Sequence, residues 1–158
     1  MATGCDLRIF LDSNVIISGI YSKAGPPGKI LDMHTDGRIQ IVVCKFVIEE
    51  VIRNIRVKRS KDIPALYAFL SNAPPTVAVD PGINEILRWA KYLSYEDAII
   101  LAAAIRAGVD CFITSDKHFH SAELKSQKVN LKILTHAEFA AAHKLPGRPA
   151  PNSPPTTG

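Results

Sequence analysis

Apolar residues recur along this chain in two alternating periods. Short, β-branched runs predict strands at Arg8–Leu11, Ile39–Cys44, Thr76–Val79, Cys111–Thr114 and Leu131–Leu134. Between them the spacing becomes that of a helix. Val47, Ile48, Val51, Ile52 and Ile55 share one helical face, as do Ile63, Leu66, Tyr67 and Leu70, and again Ile83, Ile86 and Leu87. The stretch "SYEDAIILAAAIRAGVD" carries its own stops. Ser94 suits an N-cap with Asp97 three residues on, and Gly108 suits a left-handed C-terminal position. Alternation of this kind predicts an α/β fold with a mostly parallel sheet and helices on both faces.

The pattern stops near Leu145. "LPGRPAPNSPPTTG" holds five prolines in fourteen residues and almost nothing apolar. A single domain over 1–144 and a disordered Pro-rich tail over 145–158 are therefore expected. At 158 residues, one domain can bury about two-thirds of its unfolded surface. The longest apolar run, Ala98 to Ile105, is too short to span a bilayer. The opening "MATGCDLRIF" lacks the basic flank and long apolar segment of a secretion signal. A cytoplasmic protein without a membrane partner is the expectation. Cys5, Cys44 and Cys111 are widely and irregularly spaced, which argues against a disulfide framework and a thiolate metal site. Cys44 and Cys111 adjoin apolar runs and read as small core residues.

The formal net charge of +4 hints only weakly at an anionic partner, but its distribution says more. "RNIRVKRSK" places Arg53, Arg56, Lys58, Arg59 and Lys61 within nine residues, and Lys117, Lys125 and Lys128 form a looser group. Two readings stand: a helix end whose cations complement the helix dipole, or a surface that follows a phosphate backbone.

The acids change the picture most. In a parallel α/β sheet, strand C-termini and the N-termini of the following helices share one edge, where ligands bind. Asp12 follows the first predicted strand and Asp116 the fourth. Asp97 opens the helix leading into that fourth strand, and Glu50 lies in the second turn of the helix after the second strand. Each has a local alternative, as a cap for Asp12, Asp97 and Asp116 or a solvated helix residue for Glu50. Helical periodicity does not choose between Glu49 and Glu50. Four carboxylates converging on one edge would repel one another and take up protons unless compensated. Mg²⁺ or Mn²⁺, which favour oxygen ligands, would resolve that conflict. His118 and His120 read as loop residues rather than zinc ligands.

"RIFLDSNVIISGI", "FVIEEVIRNI", "LSYEDAIILAAAIRAGVDCFITSDKHF" and "LKILTHAEF" together resemble a PIN domain, over roughly Leu7 to Phe139. The resemblance implies a three-layer α/β/α sandwich and a metal-dependent ribonuclease. It maps the family's acidic quartet onto Asp12, Glu50, Asp97 and Asp116, and selects Glu50 over Glu49. Asn14 and Thr114 stand where relatives use polar residues to orient ligands or water. Where many relatives carry a further Asp or Asn, this chain has Lys117-His118. "LDSNVIISGI" followed by "GPPGKIL" looks most like the bacterial and archaeal, VapC-like branch of toxin components. That likeness implies a small antitoxin partner and a homodimer.

The expected activity is endonucleolytic cleavage of single-stranded RNA by a metal-activated water, leaving 5′ phosphate and 3′ hydroxyl. Asp12, Asp97 and Asp116 would hold one or two Mg²⁺ or Mn²⁺ ions, with Glu50 as a further ligand or base. Arg53, Arg56, Lys58, Arg59 and Lys117 would guide the RNA. Two rivals are an inactive PIN-type module that binds nucleic acid or assembles with partners, and an aspartate-nucleophile phosphatase. The second wants an acid two residues after Asp12, where Asn14 stands.

Overall fold

The computed structural model describes residues 7–143. Cys5 and the Pro-rich 145–158 segment lie outside that range. Five parallel strands form one sheet in the order β3-β2-β1-β4-β5: β1 Arg8–Leu11, β2 Gln40–Val43, β3 Thr76–Val77, β4 Cys111–Ile113 and β5 Ile133–Leu134. All five predicted strands are present, but four are trimmed at one or both ends. Pairing sets the limits. β3 meets β2 through only Val42–Thr76 and Val43–Val77, and β5 meets β4 through two pairs as well. The central strands read as continuous apolar runs because both of their faces are covered. Phe10, Leu11, Val42, Val43, Phe112 and Ile113 are fully buried.

Helices α1 (Ser13–Tyr21) and α2 (Pro26–Thr35) link β1 to β2, and α3 (Lys45–Lys58) and α4 (Ile63–Asn72) link β2 to β3. The return crosses the sheet through α5 (Ile83–Trp89) and α6 (Tyr95–Ala107). Short α7 (Ala122–Lys125) joins β4 to β5, and α8 (His136–Ala142) follows. The right-handed rule for parallel crossovers assigns α1–α4 to one face and α5–α7 to the other. Packing agrees, with α1 against α2 and α3, α5 against α6, and α8 against α2. The result is a three-layer α/β/α sandwich. Among the described residues no helix is long and apolar enough to cross a membrane.

The expected punctuation operates. The Ser94 hydroxyl accepts from the Asp97 amide at 3.2 Å, and Gly108 ends α6 at φ +64°. Gly28 has a different task. A Cβ there would lie 2.5 Å from the Lys23 backbone, so "GPPGKIL" needs its second glycine to let the α1–α2 connection cross the start of α2. Cys44 and Cys111 are buried, and burial pushes the Cys111 thiol up to about 11.

Strand order reverses between β1 and β4, the neighbours on either side of the switch point. Ligands of open α/β sheets bind beyond the strand C-termini at that position. Residues leaving β1 and β4 therefore face the same crevice.

Candidate metal centre

Asp12 leaves β1 and at once caps α1. Its Oδ1 accepts from the Ser13 amide at 2.8 Å, while its own N–H reaches the Ile113 carbonyl of β4 at 3.1 Å. Its other oxygen, Oδ2, accepts from the Thr114 hydroxyl at 2.7 Å and the Asn14 amide at 3.3 Å. Capping alone would leave an Asp in solvent. This one is 3% exposed, and that burial pushes its carboxyl from 3.8 up to about 6. The Thr114 hydroxyl and Ser13 amide oppose the rise, and the charges of Glu50 and Asp116 add to it.

Thr114 ties the two strand ends together. Its hydroxyl donates to Asp12 and accepts from the Asp116 amide at 3.1 Å. The Asp12 carboxylate and the Asp116 backbone are thus separated by no more than those two bonds in sequence. Thr114 is itself fully buried. Replacement by Val is expected to cost about 1–3 kcal/mol, because the Asp116 amide loses its partner and the buried Asp12 oxygen is left with only the longer bond from Asn14. Urea unfolding of Thr114→Val checks this; a loss below about 0.5 kcal/mol would mean the bridge contributes little.

Asp116 caps a 3-10 turn, Lys117–His120, accepting from the His118 amide at 2.9 Å. Asp97 lies in the first turn of α6, its backbone amide capped by Ser94 and its carboxylate 3.8 Å from His118 Nδ1. Burial raises its carboxyl, and the negative charge of Asp116 raises it further; the Ser94 hydroxyl and His118 act against the rise, and Glu50 adds to it. Glu50 accepts a hydrogen bond from the Ser13 hydroxyl of α1. Glu49 instead lines a groove on α3 with Ile52, Arg53, Arg56 and Val57. The pair that periodicity left equivalent is separated here by the packing of α3 on α1, where Tyr21 donates to Asn54 at 3.1 Å.

All four acids therefore meet at one rim, but the tightest grouping differs from the expected Asp12, Asp97 and Asp116. One donor atom from each of Asp97, Asp116 and His118 lies within 4.8 Å of the other two. His118 Nδ1 stands 3.0 Å from Asp116 and 3.8 Å from Asp97. Both histidines lie on the surface turn expected for loop residues, but their rings face different partners. His120 spends its Nε2 on the Thr114 carbonyl at 2.8 Å, whereas His118 is turned to the acids. Ser13 also escaped notice in the sequence. Its only signal was its place inside the Asp-Ser-Asn triplet.

The basic segment divides. Arg53, Arg56 and Lys58 are exposed along the end of α3, and Lys117 is exposed beside Asp116. Arg59 is committed elsewhere: it pairs with Asp62 at 2.9 Å and lies 4.2 Å over the Tyr21 ring.

The donor set suits a hard or borderline divalent cation. Several carboxylates share a partly buried rim, no thiolate is among them, and Asp12 and Asp97 are raised first by burial and then by neighbouring carboxylates, both of which a bound cation would offset.

A family model described as PIN domain matches residues 8–118. The chain belongs to the PIN domain family. No curated protein matches it in sequence. Among solved structures, VapBC2 from Rickettsia felis bound to a DNA fragment from their promoter is similar, with TM-score 0.57 and 13% identity over 82% of this chain and 98% of that one. FitAcB from Neisseria gonorrhoeae gives 0.56 and 14% over 82% and 98%. VapBC-1 from nontypeable Haemophilus influenzae gives 0.57 and 15% over 83% and 99%. At such identities these likenesses speak for a shared PIN fold.

Proposed function

We propose that this PIN domain is a divalent-metal-dependent endoribonuclease of single-stranded RNA and acts as the toxin of a toxin–antitoxin pair. The observation that carries the reading is the convergence of Asp12, Glu50, Asp97 and Asp116, from four separate segments, on the rim of the switch point.

Asp12, Asp97 and Asp116 would hold one or two Mg²⁺ or Mn²⁺ ions. A bound ion supplies the positive charge that acidifies a water and offsets charge building on the phosphate. The rest falls to the chain. Thr114, Asn14 and the Ser13 amide fix the orientation of Asp12. The Ser13 hydroxyl holds Glu50, which takes up a proton from the attacking water or joins the ligands. Exposed Arg53, Arg56, Lys58 and Lys117 bind the RNA backbone, while Arg59 braces Tyr21. Cleavage leaves 5′ phosphate and 3′ hydroxyl, as the PIN resemblance implies.

Cleavage of single-stranded RNA with Mg²⁺, with Mn²⁺ and with chelator tests the activity. Turnover is expected with either ion and none with chelator; absence of cleavage by folded protein under all three conditions would leave the inactive binding module. Arg53→Glu with Arg56→Glu is expected to weaken RNA binding and lower the salt slope by about 0.7 per lost phosphate contact. An unchanged slope would remove both from the RNA path.

The toxin role rests on the likeness to the toxin-component branch and on the shared fold with VapBC2 and VapBC-1. It implies a cytoplasmic homodimer restrained by a small antitoxin. A carboxylate-rich rim suits an antitoxin arginine, whose planar fork pairs with carboxylates.

A further inference from the structure

We infer that His118 is a nitrogen ligand of the metal centre, which makes this site prefer Mn²⁺ or another transition-metal ion to Mg²⁺. The inference rests on the metal-centre reading above and specifies its ion.

Two histidines share one 3-10 turn, and the structure gives them different tasks. His120 is consumed by the Thr114 carbonyl. His118 points Nδ1 into the gap between Asp116, at 3.0 Å, and Asp97, at 3.8 Å. With metal–oxygen bonds of about 2.1 Å, neighbouring ligands of an octahedral ion lie roughly 3 Å apart and opposite ones roughly 4.2 Å. Both observed separations fall inside that span. The turn is also held in place: Phe119, next in the chain, is fully buried and packs edge-on against Phe112 at 5.0 Å. His118 is thus carried on an anchored turn instead of a loose loop.

Chemistry supplies the preference. Mg²⁺ takes oxygen ligands and keeps much of its water, whereas imidazole suits the later transition metals best, and Mn²⁺, though it favours oxygen, accepts a nitrogen ligand more readily than Mg²⁺ does. Adding one nitrogen donor to Asp97 and Asp116 strengthens the site for Mn²⁺ and does little for Mg²⁺. An all-carboxylate version would not discriminate in this way.

The test uses the full chain, titrated calorimetrically with Mn²⁺ or Mg²⁺ alone, and pulsed EPR of the Mn²⁺-loaded protein to detect a coordinated imidazole nitrogen. Wild type is expected to bind Mn²⁺ more tightly than Mg²⁺ and to show the nitrogen coupling. His118→Ala should lose the coupling and roughly tenfold or more in Mn²⁺ affinity, with Mg²⁺ affinity nearly unchanged. His118→Asp should lose the coupling yet move the preference toward Mg²⁺. The side chain is largely exposed, so both variants should fold, and a thermal melt verifies it. Mn²⁺ bound without nitrogen coupling, or a coupling and ion preference that survive His118→Ala, would overturn the inference while sparing the metal centre. Failure of wild type to bind either ion would overturn both.

Discussion

Asp12→Asn is expected to abolish RNA cleavage while making the metal-free protein more stable at neutral pH. The loss should be roughly a thousandfold or more, because the substitution removes charge where the cation and the phosphate need it. The gain in stability has a separate cause. Asp12 ordinarily titrates at 3.8, and burial raises it to about 6 in the fold. The folded state therefore holds this proton more tightly than the unfolded chain does. The stability linked to that proton is fully present below about 3.8 and is lost as pH rises through about 6. At pH 7.5 the metal-free fold thus carries an ionised buried carboxylate, at a cost of about 3 kcal/mol. Asparagine removes the charge but no longer accepts from Thr114 as the carboxylate did, so a net gain of about 1–2 kcal/mol is expected. Urea unfolding of both proteins at pH 4 and pH 7.5 checks it. The advantage of the variant should appear at pH 7.5 and turn into a deficit of about 1 kcal/mol at pH 4, where the fold keeps Asp12 protonated and only the lost hydrogen bond counts. A variant destabilised equally at both would show that Asp12 is a structural cap whose charge is not under strain. Added Mn²⁺ should stabilise wild type at pH 7.5 more than the variant, which keeps Asp97, Asp116 and His118 but loses the Asp12 carboxylate.

Phe112→Ala is expected to give the largest loss of stability, about 3–5 kcal/mol. Phe112 sits in the middle of β4, fully buried, opposite Phe10 of β1 in the parallel ladder. Its ring meets Phe10 edge-on at 5.5 Å and Phe119 edge-on at 5.0 Å. Truncation would leave a cavity bordered by two rings that cannot collapse without moving a strand or the turn bearing His118. The same contacts position the site, since β4 delivers Thr114 and Asp116 and Phe119 anchors the turn between them and α7. Cleavage should therefore fall even at temperatures where the variant remains folded. Phe112→Leu, which keeps most of the volume, should lose far less. A cost below about 1 kcal/mol for the alanine variant, measured by urea unfolding, would mean the core around β4 repacks freely.

Stability and function pull against each other at this rim. Folding gains nothing from bringing Asp12, Asp97, Asp116 and Glu50 together, and the raised Asp12 and Asp97 record the conflict. The Ser13, Asn14 and Thr114 bonds reduce it in part. A cation would reduce it further, which is why the arrangement reads as a binding site.

Much of this was legible along the chain, because its signals are local. Strand runs, the Ser94 cap and the Gly108 stop each depend on neighbours within a few residues, so hydrophobic period and cap chemistry suffice to locate them. Strand ends were less legible. Leu131 and Lys132 belong to the predicted β5 run, yet the ladder to β4 pairs only Ile133 and Leu134, and Lys132 contributes just its carbonyl, to the Phe112 amide at 2.8 Å. The edge shared by Asp12 and Asp116 followed from the parallel topology, since strand direction alone fixes which end of the sheet each residue occupies.

What the sequence by itself determined is the five strands, the helices α3 to α6, the layered α/β architecture and the end of the sheet on which the acids fall; α1, α2, α7 and α8 were not read from it. Tertiary structure alone decided which side chains touch. Periodicity gives a residue's angle about its own helix axis but not that helix's rotation against its neighbours, so only the packing of α3 on α1 turned Glu50 to Ser13 and Glu49 away. Likewise Thr114 and Asp12 are separated by 102 positions yet bonded at 2.7 Å. Nothing in the spacing of His118 and His120 distinguished the ring that braces a carbonyl from the ring that faces two carboxylates.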